Sequence, residues 1–120
     1  MYSITEHVTE WVESTTGIHA GARPPKDEPQ CPVEFFTVQH MGGQVADLVD
    51  HPMVAVQAWA QTGPRAEEMA LAVRMEALTG TLPPGVHSMR VNSGPYPYYD
   101  EETRCPRYQV VFDITSQLTE

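Results

Sequence analysis

The 120-residue sequence predicts an α+β domain: a small, mainly antiparallel sheet with two helices packed on one face and a long projecting hairpin. Three observations predict it. Apolar residues alternate through 52–60 and 107–115, the period that sends neighbouring side chains to opposite faces of a strand. Two capped segments, 3–16 and 62–79, carry apolar residues at helical spacing. A glycine pair, Gly42 and Gly43, lies between two strand-forming runs and supplies the freedom to adopt positive φ where the chain must reverse.

Ser3 and Glu6 have the spacing of a capping box, and Ile4, Val8, Trp11, Val12 and Thr15 recur on one face of the helix that follows, with Gly17 as its stop. The segment "IHAGARPPKDEPQCP" begins with a few strand formers and then turns rich in proline and charge. Prolines remove donors and fix φ, so residues 22–32 read as an irregular arm or linker. "VEFFTVQH", 33–40, is β-branched and aromatic and makes the next strand. Residues 52–60 make its partner, with Val54, Val56 and Ala58 on one side and Met53, Ala55, Gln57 and Trp59 on the other. The intervening "QVADLVD" is longer than a tight hairpin needs. Either the strands run past the core or a loop projects.

Thr62 caps the second helix, Pro64 lies in its first turn, Glu67 and Glu68 complement its dipole, and Gly80 ends it. Ala66, Met69, Ala70, Val73 and Ala77 form a stripe of mostly small residues suited to a sheet. Leu71, Met75 and Leu78 form a second stripe, roughly opposite, that needs a cover of its own. The first helix is the economical cover and a neighbouring subunit the other candidate. "VHSMRVNSG" and "RYQVVFDIT" supply two more strands. In the second, Tyr108, Val110, Phe112 and Ile114 share one face and Gln109, Val111, Asp113 and Thr115 the other.

A chain of this length with 41% hydrophobic residues supports one domain, 1–120, around one core. Sixteen acidic side chains against seven basic ones give a formal charge of −9, so a phosphate backbone meets net repulsion and tight nucleic-acid binding is disfavoured. No run approaches the ~20 apolar residues of a membrane span, and the charged N-terminus lacks a signal-peptide core; a soluble, intracellular protein with no membrane partner is expected. Cys31 and Cys105 each precede a proline and lack CxxC spacing. They read as reduced thiols, neighbours in the core without a disulfide.

Nothing in the motifs points to a reaction, a metal or a cofactor. His7, His19, His40, His51 and His87 show neither HxH nor HExxH spacing, and the run Asp100, Glu101 and Glu102 reads as a solvated loop. No GxSxG elbow unites a serine with a base. A small enzyme or metal-binding domain would need histidines to converge with Asp47, Asp50 or Asp100. Tyr96, Tyr98 and Tyr99 are stiffened by Pro95 and Pro97. They suit a docking rim, or equally a cap closing the end of the sheet over the Trp59 face. Arg104 and Arg107 read as partners for the local acids.

The order of landmarks, "CPVEFFTVQHMGG", "DLVDHPMVAVQAWAQT", "GPRAEEMALAVRMEAL" and "GPYPYYDEETRCPRYQVVFDI", resembles tail terminator proteins of long-tailed bacteriophages and prophages. The likeness spans nearly the whole chain. It implies a largely antiparallel sheet backed by helices, self-assembly into a ring, usually a hexamer, on the last ring of the tail tube, and a surface for a head-completion protein. It thereby implies a place at the tail–neck junction of a virion, with DNA passing through the lumen without specific binding. Another neck component, such as a head–tail connector or head-completion protein, has a similar outline. On this reading Gly42, Gly43, Val45, Leu48 and Val49 form the hairpin contact, Leu71, Met75 and Leu78 the helix-side contact, and Tyr96, Tyr98 and Tyr99 a docking rim. The polar character of Lys26, Asp27 and Glu28 departs from what a buried connector requires.

Overall fold

The computed structural model describes residues 4–21, 34–46, 49–98 and 105–117, with the backbone alone at 42–46, 49, 50 and 117. The proline-rich arm, Ser3, Cys31, Leu48, Tyr99, the acidic run 100–102 and Arg104 lie outside the described residues. The elements are α1 (Ile4–Thr16), β1 (Ala20–Gly21), β2 (Glu34–Ala46), β3 (Val49–Ala60), α2 (Gly63–Thr79), β4 (Val86–Pro97) and β5 (Arg107–Gln117). The predicted fold class holds: five strands in the order β1-β2-β3-β5-β4, antiparallel except for the β1–β2 pair, with both helices on one face.

Each helix is delimited by the chemistry that the sequence supplies. Gly17 adopts φ +74° and its N–H donates to the Glu13 carbonyl (2.9 Å), closing α1. The Thr62 hydroxyl accepts from the Arg65 N–H at the start of α2, with a proline in the first turn, and the Gly80 N–H donates to the Glu76 carbonyl at its end. α1 buries Ile4, Val8, Trp11 and Val12, and α2 buries Ala66, Met69, Ala70, Val73 and Ala77. The small residues of α2 let it lie close on β3, β4 and β5. Both helices meet Phe36, Val38, Val54, Val56, Ala58, Val110, Phe112 and Ile114 in one apolar cluster.

The structure decides three points that the sequence left open or placed otherwise. Of the two readings of the hairpin, the strands run on: β2 continues to Ala46 and β3 starts at Val49, in register through Ala46↔Val49, with one irregularity between His40 and Gly42. The hairpin is long, but β5 accompanies its second arm as far as Val49↔Gln117, so that arm remains part of the sheet. Each added pair satisfies main-chain donors that a free loop would leave to water. The residues read as weak strand formers before the arm make β1, whose two residues pair in parallel with Phe36 and Thr37. The first helix does not cover the second stripe of α2. The Trp11 indole N–H instead reaches the Thr81 carbonyl (2.5 Å), holding α1 against the end of α2, and Leu71, Met75 and Leu78 stay exposed.

The apolar cluster between helices and sheet carries the stability. Phe112 is fully buried at its centre. Phe112→Ala is expected to lower unfolding free energy by about 3–5 kcal/mol, whereas Leu78→Ala should change it by less than about 0.5 kcal/mol. Urea titrations of the two variants measure the contrast.

Candidate functional site

The face of the sheet away from the helices is organised by a row of polar side chains at matched positions on four strands. Thr37 is paired with Gln57, Gln57 with Gln109, and Gln109 with Tyr96. Their side chains connect in one direction. The Thr37 hydroxyl donates to Gln57 Oε1 (2.8 Å), Gln57 Nε2 donates to Gln109 Oε1 (2.7 Å), and Gln109 Nε2 donates to the Tyr96 hydroxyl (2.6 Å). The Trp59 indole N–H enters the same row by donating to Thr37 (3.0 Å). Thr37, Gln57 and Gln109 are buried, so every bond in the row replaces one that water can no longer make.

The row ends in an aromatic and cationic stack. The Arg107 guanidinium lies over the Trp59 ring (4.5 Å) and the Tyr98 ring (4.2 Å), and its Nε donates to the Tyr98 carbonyl (2.8 Å). Tyr96 is thus half-buried as the terminus of the row, and Tyr98 is 43% exposed on top of Arg107. Of the three tyrosines proposed as a rim, these two help to close the sheet end over Trp59, and Tyr98 also keeps a ring face toward solvent. Arg107 stacks on both rings, and the acids at 100–102 expected beside it lie outside the described residues.

Cys105 packs with Phe35 and Trp59 in a second buried cluster and is disulfide-bonded. This corrects the expectation of reduced thiols; the chain's other cysteine, Cys31, lies outside the described residues. Histidines do not gather. His19 contacts Glu13 (3.3 Å) and the Phe35 ring, while His40, His51 and His87 are exposed on strands. Among the described residues no three His, Cys, Asp or Glu side chains stand close enough to hold a metal ion.

The helix side presents a different surface. Leu71, Met75 and Leu78 are 39%, 56% and 62% exposed at i, i+4 and i+7, one continuous ridge along α2. Beside the ridge, α1, β2 and α2 enclose an open groove of about 420 Å³, lined by Thr15, Ile18, Phe36, Met69, Ala72 and Met75. At its rim Arg65 grips Glu34 through two bonds, Nε to Oε2 (2.7 Å) and Nη2 to Oε1 (3.0 Å), and also contacts Glu68. This fork ties the first residue of β2 to the first turn of α2. Of the hairpin candidates, Gly42, Gly43 and Val45 fall in β2 and Val49 opens β3. These described hairpin candidates lie in the sheet and the ridge in the helix layer, so they belong to separate surfaces.

Sequence reasoning missed the polar row and the Arg107 stack. The signal for the row was present: Gln57 and Gln109 each occupy the non-core parity of an alternating strand, but only the observed register places them opposite one another.

Two outcomes follow. Gln57→Leu leaves the Thr37 O–H without its acceptor and Gln109 Oε1 without its donor and should lower stability by about 2–4 kcal/mol, against about 1 kcal/mol for Tyr96→Phe at the end of the row; chemical denaturation separates them. The Arg65 hydrogen bonds hold the Glu34 pKa below its ordinary value of 4.5. Because the folded pKa is the lower one, the pair's contribution is whole above pH 4.5 and is lost as pH falls through the folded value. Both side chains are about one-third exposed or more, so the effect is small. Thermal melts from neutral to acid pH should show a shallower acid decline for Glu34→Gln than for the parent chain. No protein-family model and no curated protein sequence matches the chain.

Proposed function

We propose that the chain is a structural assembly subunit, a phage tail terminator. Copies form a ring, a hexamer, on the last ring of a tail tube, stop its polymerisation and offer a surface for a head-completion protein. The observation that carries this reading is the α2 ridge. Three large apolar side chains lie in line on a helix whose other face is fully packed, a surface more consistent with a contact than with scattered exposed residues. The sequence resemblance to tail terminators supplies the specific identity.

A ring requires two different faces of one subunit to meet. The ridge and the β2–β3 hairpin supply two such faces on separate layers of the fold. The formal charge of −9 suits a lumen through which DNA passes without adhering, with repulsion limited by screening to about 8–10 Å. On this reading the protein acts by covering the growing end of the tube, without catalysis, in the host during assembly and then at the tail–neck junction.

The test is capping. Purified chain added to polymerising tail tube protein should yield shorter tubes, each ending in a ring visible by electron microscopy. Met75→Glu with Leu78→Glu should abolish capping while changing the melting temperature little, since both side chains are more than half exposed. Tubes of unaltered length in the presence of the parent chain would refute the reading.

A further inference from the structure

Among the described residues the outer edge of β2 is paired over only a short stretch. β1 pairs with it only at Phe36 and Thr37. From Val38 to Ala46 the edge has no partner strand among the described residues.

The Phe36 N–H donates outward to the His19 carbonyl (3.0 Å), which fixes which main-chain groups of β2 face the edge. Inward and outward groups alternate in an antiparallel strand, so Val38 and His40 also face out. The extra residue at Met41 shifts the alternation by one, so Gly43 and Val45 face out beyond it. Opposite these four on β3 stand Val56, Val54, Pro52 and Asp50, two residues apart throughout. The four outward positions are therefore evenly spaced despite the irregularity, and symmetric about a point between His40 and Gly43.

We propose that this edge pairs with the same edge of a second copy of the chain, antiparallel about a two-fold axis between His40 and Gly43. Val38 then faces Val45 of the second copy and His40 faces Gly43 of the second copy, each pair exchanging two main-chain hydrogen bonds. Two features select a second copy over a foreign strand. The outward set reads the same from either end. The stretch from Val38 to Ala46 also contains no Asp, Glu, Lys or Arg in a chain of charge −9, so two copies meet here without like charges opposed. The other edge, β4, is blunted by Pro95, Pro97 and three register shifts. Such a pair is closed and does not rest on the annular reading. It would hold free subunits in a form that cannot propagate through this edge.

Amide hydrogen exchange and light scattering on the purified chain at low and high concentration test the pairing. A dimer is expected, with exchange at Val38, His40, Gly43 and Val45 slowed roughly tenfold or more at high concentration, and exchange at Thr37, Gln39, Gly42 and Gln44 unchanged. Val45→Pro removes one outward donor from each copy and should weaken the dimer roughly tenfold or more. Met41→Lys, at a side chain 52% exposed, should weaken it roughly fivefold. Leu78→Glu should leave it intact. A chain that stays monomeric, concentration-dependent protection at other residues, or a dimer broken by Leu78→Glu but not by Val45→Pro overturns the proposal. A larger closed ring in place of the dimer overturns it too, while upholding the annular reading.

Discussion

The row Thr37, Gln57, Gln109 and Tyr96 is the constraint on which the rest of the structure depends, because it fixes how four strands lie beside one another. On the helix face, apolar side chains from β2, β3 and β5 would tolerate small shifts with repacking. Buried amides tolerate none: a slip of one residue turns each glutamine to the helix face and leaves its donors unpaired in an apolar cluster. Specificity of register therefore comes from the polar face and free energy mainly from the apolar one. Trp59 joins the two roles, since its ring packs with Phe35 and Cys105 while its indole N–H closes the row at Thr37.

With register fixed, the large exposed apolar side chains among the described residues fall in particular places. Residues 54–60 of β3 are buried on both faces, so the centre of the sheet offers nothing to a partner. What is left open is peripheral: the α2 ridge and groove on the helix layer, the β2 edge, and the Tyr98 ring above Arg107. The ridge arises from packing geometry. α1 joins α2 in the core cluster and is held just beyond its end by the Trp11–Thr81 bond, and it does not lie across Leu71, Met75 and Leu78, which stay exposed. A bulkier α2 stripe would stand further from the sheet and leave a different helix layer.

The parts of this fold written in local chemistry were legible in the sequence. Thr62, Pro64, Gly80 and Gly17 mark helix ends by capping and positive φ, and period-two alternation in 52–60 and 107–115 gave both faces of β3 and β5 correctly. Legibility failed where the deciding partner is distant. Residues 41–46 and 49–51 include two glycines and an aspartate, poor strand formers alone, yet β2, β3 and β5 order one another through their ladders. The state of Cys105 depends on what the fold brings to it, and spacing of two lone cysteines carries no such information. For the surfaces, the sequence separated the two stripes of α2 but favoured the wrong cover, since crossing geometry between helices is a property of the packed state.

The polar row and the assembly surfaces are linked through the same registers. The row fixes Thr37 against Gln57, and the single extra residue at Met41 then determines which groups beyond it face outward along β2. Were the bulge absent, Gly42 and Gln44 would face out in place of Gly43 and Val45, and the edge would have a different centre of symmetry. One inserted residue thus re-aims half of an edge while leaving the buried row untouched. A chain that must present a defined edge to another molecule gains from this separation, because the edge can be adjusted by local insertion without disturbing the contacts that hold the sheet together.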